Sequence, residues 1–194
     1  MKDEKELIRR AAEGNLEAFE EIVRDKREKV FWISYHITGN EEDSRDISQL
    51  VFIRLWRILK RFRLEKNFDA WLYRIAVNMS IDYMRTSSGR RDIIPLEDLP
   101  EKLLFPAAPL FQQERSVVLN EIRNIYNILS RRLTPTQRAI FALKEIDGFD
   151  TKEISKIMKI GHSTVRNHLF QARQIMKEGL RRNYPEYFMD RCKK

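Results

Sequence analysis

Residues 150–182 read DTKEISKIMKIGHSTVRNHLFQARQIMKEGLRR, and this stretch decides the fold. Asp150 with Glu153 resembles a helix cap, and a short helix is expected from Thr151 to Met158, with Ile154 and Ile157 on its buried side. The pattern breaks at Lys159-Ile160-Gly161, and a long helix is expected from about His162 to Arg182. Within it Val165, Leu169, Ala172 and Met176 step by four, three and four, which sets the packed face. Two helices joined by a short turn containing Gly form a helix-turn-helix unit. A generic unit prefers Ala near position 155 and Gly near 159; here Ser155 and Lys159 occupy them.

Working outward, Thr134-Pro135-Thr136-Gln137 supplies an N-cap, a proline at the first helical position and a capping-box glutamine, and Asp147-Gly148 closes that helix. Val118, Ile122, Ile125 and Leu129 mark another helix before it. Towards the N-terminus, Leu16, Phe19, Ile22, Val23, Val30, Ile33 and Ile37 keep helical spacing and stop at Gly39-Asn40. Ile47, Val51, Leu55, Ile58, Leu59 and Phe62 form a second stripe, and Leu72, Ile75, Ala76, Met79 and Tyr83 a third. No convincing strand interrupts them. The expected fold class is all-α: two small helical domains, residues 1–91 and 115–194, joined by an acidic linker at 92–114 that holds Pro95, Pro100, Pro106 and Pro109. A long surface loop within one domain is the alternative, but loops of that length are uncommon in compact domains.

The 194 residues are 42% hydrophobic and 34% charged with only 6 Gly, which excludes collagen-like, low-complexity and wholly disordered chains. One cysteine, Cys192, excludes a disulfide framework and a Cys-rich zinc module. No apolar run approaches a membrane span, and the opening MKDEKELIRR is too charged for a signal peptide, so a cytoplasmic protein is expected. The formal net charge of +8 is unevenly spread. Residues 1–91 hold 19 Lys/Arg and 16 Asp/Glu, residues 92–114 hold 1 and 5, and residues 115–194 hold 17 and 8.

The long C-terminal helix leaves Arg166, Asn167, Phe170, Gln171 and Arg173 outside its packed face. Arg forks onto guanine, Asn and Gln onto adenine, and an apolar ring suits the thymine methyl, so this face suits a DNA major groove. Basic residues further along would hold phosphates and position the domain. A solvated basic helix is the plainer reading. In the N-terminal part, an inward set of 47, 51, 55 and 58 places Gln49, Phe52 and Trp56 on another side, a candidate protein-docking face; a helix buried on two sides is the alternative. The stretch from Phe62 to Asn78 mixes four aromatics with basic and amide residues, which suits splayed single-stranded bases. Trp71 is expected in the core, and Phe62 and Asn78 are the better pocket candidates.

Taken together, Gly14-Asn15 to Phe19, Asp46 to Phe62, Trp71 to Asn78 with Asp82 and Arg85, Leu133-Thr134-Pro135 with Gln137-Arg138, and Thr164-Val165-Arg166 through Arg173 resemble the extracytoplasmic-function (ECF) sigma factors of bacterial RNA polymerase. The resemblance covers about residues 5–91 and 115–183, in the order of that family's regions 2 and 4. It implies that Asp46, Gln49, Phe52 and Trp56 dock on the β′ coiled coil of core polymerase. It further implies that Phe62, Arg63, Ile75 and Asn78 serve the minus-ten element, with Phe62, Ile75 and Asn78 shaping the pocket for a flipped base. Thr164, Arg166, Asn167, Phe170, Gln171 and Arg173 would read the minus-thirty-five element, in a domain held by the β flap. The acidic linker would thread toward the active-site and RNA-exit channels. An anti-sigma factor is the implied regulator. Leu50 departs from the family, which usually has an acid there; His168 and Gln171 replace residues that are commonly basic.

No catalytic set emerges, and neither a cofactor nor a metal is expected: His36, His162 and His168 are not at metal spacing with carboxylates. Two other readings stay open at this point. One is a free-standing helix-turn-helix regulator of duplex DNA, which would not need the Phe62–Asn78 cluster. The other is an interaction module whose basic face meets an acidic protein.

Overall fold

The computed structural model describes residues 4–86 and 117–189. Among the described residues every regular element is helical, and the chain divides into two compact units near residue 107. The linker expected over 92–114 and Cys192 lie outside the described residues.

The N-terminal unit contains α1 (Glu4–Ala12), α2 (Leu16–Thr38), α3 (Glu41–Ile58), a 3-10 turn (Leu59–Arg61) and α4 (Phe68–Arg85). Each of the last three α-helices starts on an asparagine. The side-chain oxygens of Asn15, Asn40 and Asn67 accept from the backbone N–H of Ala18, Asp43 and Ala70 at 2.8, 3.1 and 2.8 Å. Each such cap satisfies a first-turn donor that has no helical partner, an effect of about 1 kcal/mol. Gly39 ends α2 with φ 74, a left-handed conformation that costs a side-chain-bearing residue about 1 kcal/mol. This lets the chain turn at once into Asn40 and α3.

Helices α2, α3 and α4 pack on one another and α1 lies on α2. The core is Phe19, Ile33, Ile37, Ile47, Leu55, Leu59 and Leu72, all fully buried. Removing each from water contributes about 1.5–3 kcal/mol. Because α2 and α4 both cover α3, the buried arc of that helix includes Ser44, Ile47, Val51, Phe52, Ile53 and Leu55, wider than the single stripe read from spacing. Lys26 ties the unit together. Its side chain is 14% exposed, and its ammonium lies 2.9 Å from Glu4 on α1, 3.0 Å from Asp25 and 2.9 Å from Asp69 on α4. Burial alone would lower its pKa, but the carboxylates of Asp69, Glu4 and Asp25 outweigh that and hold it well above the ordinary lysine value. Tyr73 is buried, and burial, then the charge of Asp69, pushes its phenol up to about 12.

The C-terminal unit contains α5 (Val117–Ser130), α6 (Pro135–Phe141), α7 (Thr151–Met158), α8 (His162–Asn183) and the short α9 (Glu186–Met189). Thr134 and Gln137 close the expected capping box around α6, and Asp150 and Glu153 close a second around α7. The helix from Pro135 does not run unchanged to Gly148; after Phe141 it widens into a π turn over Ala142–Ile146. Ile140, Leu143, Ile154, Val165 and Ala172 are fully buried, and α6 packs on α8. On α5, Leu129 is buried but Ile122 is 55% exposed, so the stripe expected there packs only in part. Helix α8 crosses α5 at Gly179, where an added Cβ would stand 2.9 Å from Leu129 Cδ2. Glycine permits that approach.

Candidate nucleic-acid interface

The turn between α7 and α8 is Lys159, Ile160 and Gly161. Lys159 takes φ 54 and ψ 41, the left-handed conformation for which a generic helix-turn-helix uses Gly. Ser155 explains the other departure: its hydroxyl donates to the Ile160 carbonyl at 2.6 Å and closes the turn from within. Thr151 Oγ1 and His162 Nε2 lie 2.7 Å apart and join the first turns of the two helices.

This turn delivers α8 with its packed and open faces separated. Val165, Leu169 and Ala172 are buried, whereas Thr164, Arg166, Asn167, Phe170, Gln171 and Arg173 are all exposed. Phe170 is 62% exposed, an uncovered ring on a polar face. Two of the six are engaged from α6 and the π turn. Gln137 Nε2 donates to Gln171 Oε1 at 3.0 Å, and the Arg173 guanidinium donates to Glu145 at 2.6 and 2.9 Å. Sequence reasoning missed both partners. The capping-box glutamine was a visible signal for one; Glu145 had none, because its reach depends on the π turn. His168 on the same helix is half-buried.

In the N-terminal unit the aromatic residues come together. Phe62 stacks on Trp71 (4.9 Å between centroids, 30°) and meets Phe68 edge-on at 5.3 Å. Phe68 is the buried member, while Phe62 and Trp71 are both half-buried, so Trp71 is not the core residue that was expected. Trp71, Ile75 and Asn78 fall on one stripe of α4, four and three residues apart. Asn78 and Arg63 are exposed. Ile75, which the resemblance sets in the base pocket, is 7% exposed, while its stripe neighbours Trp71 and Asn78 are half-buried and exposed.

The docking face on α3 also changes. Phe52 is 3% exposed because the helix is covered from two sides, and it belongs to the core. Trp56 is half-buried with its ring edge-on to Phe19 at 4.9 Å. Gln49 is half-buried and Asp46 exposed. Asp46 and Arg54 are exposed and half-buried Leu50 lies between them, spaced by four from each. Among the described residues no group of His, Cys, Asp and Glu is arranged to hold a metal, and no helix is long and apolar enough to cross a membrane.

A family model for sigma-70 region 2 matches residues 22–90, and one for sigma-70 region 4 matches residues 128–176. The ECF RNA polymerase sigma-E factor of Escherichia coli K12 is 31% identical over 175 residues, covering 88% of this chain and 90% of its own length. The chain belongs to the ECF sigma factors. The ECF sigma factor SigW of Bacillus subtilis is 28% identical over 91% of this chain and 96% of its own. The region 2 match covers α3 and α4 with most of α2, and the region 4 match covers α6, α7 and most of α8, so both candidate surfaces of this sigma factor lie within matched sequence. The same fold occurs in CnrH, solved with the cytosolic domain of CnrY (TM-score 0.67, 21% identity, 93% of this chain and 99% of that one). It also occurs in RpoE from Bartonella quintana, solved with the anti-sigma factor NepR (TM-score 0.58, 17% identity, 85% and 98%). This sigma factor is a promoter-recognition subunit, and a free-standing helix-turn-helix regulator is not favoured.

Proposed function

We propose that the two units divide promoter recognition, with residues 1–91 acting as the region 2 module, 115–194 as the region 4 module and 92–114 as the acidic tether between them. The observation that carries this is the face of α8: Arg166, Asn167 and Phe170 exposed together on a helix whose opposite side is fully packed. That face enters the major groove at the minus-thirty-five element, where Arg166 and Asn167 bond base edges and Phe170 covers a thymine methyl. The β flap of core polymerase holds the same module from its other side.

The N-terminal unit docks through Asp46, Gln49 and Trp56 on the β′ coiled coil, with Leu50 in place of the family's usual acid supplying an apolar contact. Phe62, Arg63 and Asn78 then serve the minus-ten element. Stacking against the exposed part of Phe62 and a hydrogen bond from the Asn78 side-chain amide offset the few kcal/mol that unstacking a base costs. The chemistry of RNA synthesis stays with the polymerase. A subunit that acts on chromosomal promoters would act in the cytoplasm. An anti-sigma factor, the kind of partner in the solved complex of RpoE, silences it by covering these surfaces.

Adding the chain to core RNA polymerase is expected to give promoter-specific transcripts. Asn78→Ala is expected to weaken promoter opening, followed by permanganate footprinting, while core binding in a pull-down stays intact. Background transcripts alone from the reconstituted enzyme would sink the reading.

A further inference from the structure

The amide of Gln137 has both ends committed, and the two commitments fix each other. One end accepts from the backbone N–H of Thr134 at 3.0 Å, closing the capping box. A backbone N–H only donates, so that end is the oxygen and the opposite end is the NH2. The NH2 donates to Gln171 at 3.0 Å, which makes the inward atom of Gln171 its oxygen. Gln137 is buried and Gln171 exposed. The side-chain amide of Gln171 is therefore turned with its oxygen toward the core and its NH2 away from it.

We propose that Gln137 sets the hydrogen-bonding polarity of Gln171, so that α8 presents a donor-only group at this position and selects a base edge made of acceptors, guanine above all. A free glutamine reads adenine by presenting both its oxygen and its NH2, to N6 and N7. With the oxygen held inward, that pairing is lost. Guanine offers N7 and O6 side by side, and thymine offers O4. Adenine keeps N7 as an acceptor but sets N6 beside it, donor against donor, so it offers one acceptor where guanine offers two, and cytosine N4 offers none. Gln137 touches no base; it is a positioning residue, buried one helix away from the groove. The inference rests on α8 reading the minus-thirty-five element and names the base class read at one step of it.

The test uses the full chain with core polymerase to select promoters from a library randomised through the upstream element. The wild type is expected to favour guanine over adenine at one step by about tenfold, within the range for a good base contact. Gln137→Glu keeps an oxygen for the Thr134 N–H, and so keeps the cap, but faces Gln171 with an acceptor. Gln171 then turns its NH2 inward and its oxygen outward, and the preference at that step moves to cytosine or adenine. Gln137→Leu releases the amide altogether, and the guanine-to-adenine ratio falls toward one. Gln171→Ala erases the preference at that step in either background. A structural role for Gln137 alone lowers transcription from all promoters alike and moves no base preference. Unchanged preference in both Gln137 variants, or adenine chosen by the wild type at that step, overturns the proposal and leaves α8 as the reader. Wild-type selection by Gln171→Ala at every step removes Gln171 as a base contact, and the proposal with it. No enriched upstream element with any of these proteins overturns the assignment of α8 itself.

Discussion

On α8, Arg166, Asn167 and Phe170 stand clear of Val165 and Leu169, the neighbours beside them in sequence that pack the core. In the N-terminal unit the two jobs overlap: Phe62 and Trp71 stack on each other against buried Phe68, and Phe52 and Ile75 lie inside altogether. The difference follows from how each helix is covered. Helix α8 packs through one stripe and leaves Arg166, Asn167 and Phe170 to solvent, while Gln171 and Arg173 are held from α6 and the π turn, so the contacts of the first three are separable from stability. Helix α3 is packed by both α2 and α4, and the half-buried residues of its proposed docking face also support the fold. Substitutions in the C-terminal reader are therefore expected to report on recognition, and substitutions in the N-terminal unit on folding first.

The largest effect should come in the core of the N-terminal unit. Phe52→Ala empties a buried ring site and is expected to lower stability by about 3–5 kcal/mol in denaturant titration, with core binding and promoter opening lost together. Core binding lost at unchanged stability would return Phe52 to the docking face and break the contrast.

Lys26→Met leaves Glu4, Asp25 and Asp69 facing one another without their cation. It is expected to cost about 2 kcal/mol, between the values for exposed and buried pairs, because Lys26 is mostly covered while its partners are partly open to water. The sign with pH is set by the raised pKa of Lys26. Its stabilisation is complete below the unfolded lysine value of about 10.4 and fades as pH rises beyond it. Tyr73, raised to about 12, adds to the same alkaline loss above its ordinary value of 10.0. Denaturation midpoints followed upward from pH 10 should fall more steeply for the wild type than for Lys26→Met, and equal slopes would remove Lys26 from the account.

Phe170→Ala is expected to leave the unfolding midpoint within about 0.5 kcal/mol of the wild type, since the ring is mostly in solvent. Transcription from a promoter carrying the upstream element should drop by about fivefold, the low end for a lost base contact. A comparable loss of stability would show that α8 is not free of the core.

The smallest effect should be a gain. Lys159 holds φ 54 at the head of the turn, and Lys159→Gly relieves a left-handed side-chain residue, with an expected stabilisation of about 1 kcal/mol by thermal unfolding. Lower stability would mean that the lysine side chain contributes more to the turn than its backbone conformation costs.

Much of this architecture was legible beforehand because helices announce themselves locally. Gly39-Asn40, the Thr134–Gln137 box and the Asp150–Glu153 box are start and stop signals set by unsatisfied backbone groups within a few residues, and each lies where spacing put it. The open face of α8 was legible for the same reason: a helix covered along one stripe has one period, and the leftover residues are exposed. The docking helix was read less well. Its stripe of 47, 51 and 55 was right, but spacing left Phe52 open between a docking face and a helix buried on two sides, because a second covering helix leaves no mark in the spacing of the first; packing buries it. Trp71 is half-buried and not in the core for a related reason, since ring stacking between Phe62 and Trp71 is a contact between separate elements.

Residue order alone specified most of the longer helices, the two capping boxes, the uneven charge and the resemblance to the family, because these depend on neighbours along the chain and on motif order. Tertiary packing decided which large side chains of α3 and α4 are core, gathered Lys26 with three carboxylates from three helices, and aimed Gln137 at Gln171 from 34 positions away. Those outcomes depend on which faces of different helices meet. A hydrogen bond fixes the direction of an amide only once both of its partners are in place, and no pattern within a single helix contains that information.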